Sequence, residues 1–153
     1  MAKFDIRIKN EVGTIRLPLK FLTQKVSGML RRLGWKKAGL SILFVGDRRI
    51  RAFNRRYLGH DRPTDVIAFS QLEGMKPPGE IPWVGDIVIS LTTTRRQAVE
   101  YGNSFIYELC FYICHGLLHI MGYRDNTKKE ARRMERKQKS ILKKIGLTPS
   151  IRI

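Results

Sequence analysis

Phe4-Asp5-Ile6-Arg7-Ile8 alternates apolar and polar residues with a period of two, the pattern of a half-buried strand. Downstream the period changes. Leu19, Leu22, Val26, Met29, Leu30 and Leu33 keep helical spacing, with Pro18 at the opening and Gly34 at the close. Leu40 to Val45 predicts a short apolar strand, after which Asp47 is placed to cap a helix through Tyr57. The turn-rich Gly59-His60-Asp61-Arg62-Pro63 precedes a strand from Asp65 to Phe69, and the Pro- and Gly-rich stretch 73–82 predicts a loop. Ile87-Val88-Ile89 predicts a further strand, followed by a helix near Thr93 to Tyr101. Ser104 is placed to cap a helix that is apolar from Phe111 to Met121 and therefore central. Thr127-Lys128-Lys129-Glu130 has the capping-box pattern and opens the last helix, whose inward stripe is Ala131, Met134, Gln138, Ile141, Leu142 and Ile145. Strands and helices without strict alternation predict an α+β fold: a small mixed β-sheet packed by helices, in one domain over residues 1–153.

Charge changes this picture most. Thirty Lys and Arg residues face 13 acids, giving a net charge of +17, far more than solubility requires. Such an excess concentrates polyanions, and RNA or DNA fits better than lipid because no basic amphipathic anchor stands at either end. The last helix is basic on its outer face, with only Glu130 and Glu135 opposing its lysines and arginines. No run is long and apolar enough to span a bilayer, and Met1 to Arg7 lacks the pattern of a secretory signal, so a cytoplasmic protein is expected. The two cysteines, Cys110 and Cys114, form no disulfide framework. At about 100° per residue they point away from the helix's two histidines, which assigns them to packing.

The candidate chemistry lies in His115-Gly116-Leu117-Leu118-His119-Ile120-Met121-Gly122-Tyr123-Arg124-Asp125. Two histidines four apart on a helix project from one face and can reach one cation. Gly122 can take the left-handed conformation that reverses the chain and returns Asp125 as a third ligand. Two nitrogens, one carboxylate and an open position describe a catalytic zinc site better than a closed structural one. Glu108, seven residues before His115, falls on the same face about 10 Å away along the helix axis. It is placed either to orient substrate or a water, or simply to line the mouth of the cleft. His60 is not counted as a ligand. Trp35, Trp83, Tyr101 and Tyr112 are assigned mainly to packing or cleft lining, with base stacking as the alternative.

The metal segment resembles the H-G-x-L-H-L-x-G-Y-D-H motif of the YbeY family, bacterial metal-dependent endoribonucleases of ribosomal RNA maturation. Asn54 to Tyr57, Asp61, Pro63-Thr64-Asp65-Val66-Ile67 and Phe69 resemble its N-x-x-Y…D-x-P-T-D-V-x-x-F block. Gly85-Asp86-Ile87 resembles its G-D-I strand start, and Met134-Glu135 to Leu147 its last helix. The resemblance implies a zincin-like fold with a central metal-bearing helix. It further implies one zinc ion on His115, His119 and Asp125, and single-stranded RNA, including ribosomal RNA precursors and the small ribosomal subunit, as partner. Two departures from the pattern matter, over three positions. Asp125 replaces the family's third histidine, behind Arg124 in place of its aspartate. Leu58 stands where an arginine is usual, with Arg55, Arg56 and Arg62 as candidate substitutes.

Three functional classes follow from these residues. One is a zinc endoribonuclease, with His115, His119 and Asp125 in the reaction centre and Glu108 as a candidate accessory group. Another is a zinc metallopeptidase, against which stands Gly116, because H-E-x-x-H peptidases carry their general base at that position. The third is a non-catalytic RNA-binding ribosome-assembly factor.

Overall fold

The computed structural model describes residues 2–58, 66–72 and 81–149. The predicted turn at 59–63, the start of the third strand at Asp65 and most of the 73–82 loop lie outside the described residues. The elements run β1 (Lys3–Asn10), α1 (Leu19–Arg32), β2 (Lys37–Val45), α2 (Asp47–Phe53), a wide π turn (Asn54–Leu58), β3 (Val66–Ser70), β4 (Trp83–Ser90), α3 (Leu91–Tyr101), α4 (Phe105–Ile120) and α5 (Lys128–Lys144). The strands form one sheet in the order β1-β2-β4-β3. β1, β2 and β4 are parallel, and β3 runs antiparallel to β4 along the edge. This is the mixed sheet and α+β class expected.

One sheet face meets the helices. Ile42, Phe44, Ile87 and Ile89 pack there against Val26 and Leu30 of α1 and Leu109, Ile113 and Leu117 of α4, all buried in one cluster. The approach of α4 to β4 is close enough to dictate two glycines. A Cβ on Gly85 would lie 2.5 Å from the Phe69 carbonyl oxygen and 2.6 Å from Ile120, and one on Gly116 would meet Ile87 at 3.0 Å. Gly85 and the outward Asp86 interrupt the apolar run of β4, which is why periodicity predicts only 87–89 of a strand that begins at Trp83. In the same way β2 begins three residues before its apolar stretch, because Gly39 lies flat beneath the Trp83 ring.

The opposite face is polar at one end, where Asp86 accepts hydrogen bonds from Ser41 (2.5 Å), Gln71 (2.7 Å) and Trp83 (3.2 Å). At the other end Val45, Ile50, Ile67 and Val88 form a second small cluster beneath α2. Asp47 does not cap α2: Gly46 holds the cap position, without a side-chain bond. The Asp47 carboxylate instead ties α2 to the start of α3. It accepts from Ser90 Oγ and Thr93 Oγ1, both at 2.6 Å, and from Arg96 at 2.9 Å. Ser90 in turn caps α3 by accepting from the Thr93 amide, so α3 starts two residues before Thr93.

Burial alone would raise the Asp47 pKa. The hydrogen bonds from Ser90, Thr93, Thr92 and Arg96 outweigh it and hold the carboxyl well below the usual range. A carboxyl depressed in the folded state adds stability above its unfolded pKa of about 3.9, and that stability is lost as pH falls below it. Asp47→Asn is expected to cost about 1–2 kcal/mol at pH 7. Urea melts should show the gap between variant and parent narrowing from pH 5 toward pH 2; a gap independent of pH would contradict the role of this carboxylate.

Two apolar positions depart from expectation. Leu19 is exposed because α1 begins there beyond the core. Ala131 is exposed beside a groove, and the inward stripe of α5 begins at Met134. Cys110 and Cys114 are free and buried in the core, where burial pushes both thiols up to about 12. Both therefore stay protonated near neutral pH as small apolar side chains of the core.

Candidate metal centre

α4 begins at Ser104, whose hydroxyl accepts from the Tyr107 amide at 3.0 Å. It runs through the core to Ile120 and emerges at its last turn. His115 and His119 are therefore only partly exposed, at 24% and 32% of their side chains. Gly122 then takes a φ of 98°. The Tyr123 amide donates to the Leu118 carbonyl (2.9 Å) and the Gly122 amide to the His119 carbonyl (3.0 Å), the paired bonds of a Schellman stop. The reversed chain places Asp125 Oδ2 3.5 Å from His115 Nε2 and 3.4 Å from His119 Nε2.

The tautomers follow from the outer partners. His119 Nδ1 lies 3.1 Å from the Tyr123 carbonyl, which can only accept, so Nδ1 carries the hydrogen. Gln138 donates its amide to the Phe111 carbonyl (3.1 Å), which turns Oε1 toward His115 Nδ1 at 3.3 Å. That nitrogen therefore also donates. Both Nε2 atoms are left with lone pairs facing one another 3.0 Å apart, an arrangement that repels unless positive charge lies between them. Four-coordinate divalent cations with donors at about 2.1 Å place neighbouring donors about 3.4 Å apart. The observed 3.0, 3.4 and 3.5 Å edges fit that figure. Among the described residues this is the one group of three metal-type side chains whose ligand atoms converge, all within 4.8 Å.

The structure thus brings His115, His119 and Asp125 together and keeps Glu108 apart from them. Glu108 is 3% exposed and accepts from Asn103 Nδ2 at 2.8 Å. It nevertheless opens on the same groove as His115 and Asp125, a cavity of about 980 Å³ between α4, α5 and residues 147–149. Gln138 is the participant that sequence reasoning missed. Periodicity assigns it only to the buried stripe of α5, and its signal is a lone amide among apolar positions facing the histidine helix. On the far side of the Asp125 loop, Tyr123, Arg124 and Arg133 line a smaller pocket of about 340 Å³, with the Arg133 guanidinium 6.0 Å over the Tyr123 ring. Arg55 and Arg56 are exposed on the π turn that ends at Leu58, while His60 and Arg62 lie outside the described residues. The turn replaces the predicted continuation of α2. It lets Asn54 stay fully buried while both arginines face outward.

The sequence pattern of the family described as Endoribonuclease YbeY matches residues 7–146. The chain belongs to the YbeY family. Among its relatives, the Endoribonuclease YbeY of Anaeromyxobacter sp. (strain Fw109-5) is 42% identical over 142 residues, covering 93% of this chain and 72% of that protein. The one from Desulforamulus reducens is 36% identical over 151 residues, 96% and 99% of the two chains. The solution structure of TM1509 from Thermotoga maritima superposes with a TM-score of 0.62 at 27% identity, covering 92% of this chain and 88% of that one. Within the YbeY pattern, Asp125 takes the place of the third histidine without breaking the triangle of donors. The general-base position of H-E-x-x-H peptidases corresponds here to Gly116, which faces Ile87 in the core and has no room for an acid.

Proposed function

We propose that this chain is a zinc-dependent endoribonuclease that cuts single-stranded RNA in the maturation of ribosomal RNA. In this reading it works in the cytoplasm as one domain over residues 1–153, on ribosomal RNA precursors and the small ribosomal subunit. The observation that carries the reading is the triangle of donors from His115, His119 and Asp125, in a chain of the YbeY family. A bound zinc ion supplies a Lewis acid and lowers the pKa of coordinated water from about 15.7 toward neutrality.

The protein's own residues do the rest. Gln138 and the Tyr123 carbonyl fix the two imidazoles in the tautomer that presents Nε2. Asp125 adds a negative charge where the family pattern has a neutral ring, which favours firm cation binding at some cost in Lewis acidity. Arg124 and Arg133, in the pocket beyond the Asp125 loop, add positive potential that draws a phosphodiester toward the centre. The outer face of α5 attracts the RNA backbone at longer range.

The test is metal analysis of the purified protein together with cleavage of an unstructured RNA, before and after chelation and on return of zinc. One zinc per chain, activity lost to chelator and activity restored by zinc are the expected results. No bound metal would end the proposal. Metal without RNA cleavage would assign the chain to RNA binding in ribosome assembly instead.

A further inference from the structure

The outer face of α5 carries charge that no described residue neutralises. At about 100° and 1.5 Å per residue, Lys129, Arg132, Arg136 and Lys143 fall within an arc of about 60° along about 21 Å of axis. All four are exposed, on the side opposite the buried Met134, Ile141 and Leu142. Both acids of the helix are engaged elsewhere: Glu130 accepts from the Thr127 amide at 3.1 Å, and Glu135 pairs with Lys139 at 3.3 Å. None of the four forms an ion pair with a described residue. Like charges three and four apart on a helix repel, so this crest costs the fold stability. It also stands in a particular place. On one flank of α5, Glu135, Gln138 and Lys139 line the groove that holds His115 and Asp125. On the other, Glu130 and Arg133 line the smaller pocket with Tyr123. The crest is a ridge beside the metal centre, and Lys143 belongs to both ridge and groove.

Resting on the endoribonuclease reading above, we infer that this crest docks the backbone of an RNA duplex beside the unpaired strand that enters the groove. The preferred substrate is then a junction between duplex and single strand. Two contrasts select the occupant. The groove has rings, those of Tyr101, Tyr107, Phe111 and Tyr112, on which unpaired bases stack, whereas α5 has no aromatic residue at all. A face with cations and no rings gains nothing from exposed bases. It suits a polymer that hides its bases and arrays its phosphates. A duplex does both, presenting about one phosphate per 1.7 Å of axis, or about a dozen over the length of the crest. The guanidinium forks of Arg132 and Arg136 can each take two phosphate oxygens. A lipid surface, by contrast, is entered by apolar side chains set among the charges. The crest has none, and its neighbours along the ridge are Lys139 and Ser140. Lys143 lies where the paired and unpaired parts of the substrate meet.

The test compares three full-length proteins. One is the parent and one is the crest variant, Lys129→Gln/Arg132→Gln/Arg136→Gln. The third, Lys9→Gln/Lys20→Gln/Arg32→Gln, removes the same charge from exposed positions of β1 and α1. All six side chains are exposed, so both variants should fold and bind zinc as the parent does. Binding is measured in chelator, where no cutting occurs, across a salt series. The ligands are an RNA duplex of about twelve base pairs, an unstructured RNA of the same length, and vesicles containing anionic phospholipid. Cleavage is measured on an unpaired segment alone and on the same segment joined to a hairpin. The crest variant should bind duplex at least about tenfold more weakly, with its salt slope reduced by about 2–3, because each lost phosphate contact removes about 0.9. Its binding to unpaired RNA, and the binding of the control variant to either RNA, should fall less than about threefold. The parent should cut the hairpin-joined segment with a kcat/KM about tenfold above that of the segment alone, an advantage that the crest variant loses and the control keeps. Equal losses in the two variants would reduce the crest to bulk charge and overturn the inference. So would a crest variant that loses unpaired RNA as steeply as duplex, or one that keeps duplex and loses only the vesicles. A hairpin that brings the parent no advantage would overturn it too, while leaving the nuclease reading in place. Duplex binding that depends on the crest, in a protein that cuts no RNA, would uphold the docking and remove the nuclease reading.

Discussion

His119→Ala is expected to abolish zinc binding and to lower RNA cleavage at least about a thousandfold, the scale seen when one member of a unit that acts together is removed. Its effect on folding should be small beside that of a core substitution. The variant gives up the bond from His119 Nδ1 to the Tyr123 carbonyl but opens no core cavity, because His119 sits at the emerging end of α4. The variant should therefore melt close to the metal-free parent. Zinc at a hundred times its dissociation constant should add about 2.7 kcal/mol to the parent and nothing to the variant. Calorimetric melts with and without zinc, beside a cleavage assay, read both effects. A variant that keeps its zinc, or that unfolds well below the metal-free parent, would show that His119 is a packing residue.

Gln138→Leu tests the outer partner by itself. Leucine fills most of the space of glutamine but cannot accept from His115 Nδ1 or donate to the Phe111 carbonyl. The ring of His115 loses the acceptor that selects its tautomer, and outer partners of this kind are worth about 10–100-fold in metal affinity. Competition against a chromophoric chelator should show a loss in that range. Helix content should not change, since the 138 position is already surrounded by the apolar side chains of Met134, Ile141 and Leu142. Unchanged zinc affinity would mean that His115 takes its orientation from packing and not from the amide.

Where an element's signals are local, the sequence carried them almost completely. α4 has a capping serine, an apolar body and a glycine stop, and α5 has a capping box whose two reciprocal bonds are both formed, at 3.1 Å. His115, His119 and Asp125 were legible for the same reason, since helix phase and one glycine reversal decide their convergence. Features set by distant neighbours were not legible. Nothing near Gly85 announces that Phe69 and Ile120 crowd it, so β4 reads as three residues and not eight. Asp47 reads as a cap because its real partners, Ser90, Thr93 and Arg96, stand more than forty residues away. Gln138 was invisible as a ligand's partner because only the packing of α5 on α4 brings it to His115. The position of Glu108 on the face of His115 was readable, yet its tie to Asn103 depends on the turn between α3 and α4.

The reversal at Gly122 also makes the group of donors local. All three fall within residues 115–125, and even the carbonyl that faces His119 Nδ1 belongs to that stretch. Closing so short a loop costs little chain entropy. A side chain at residue 122 that resists the left-handed backbone would therefore part Asp125 from the two rings while leaving both rings on their helix.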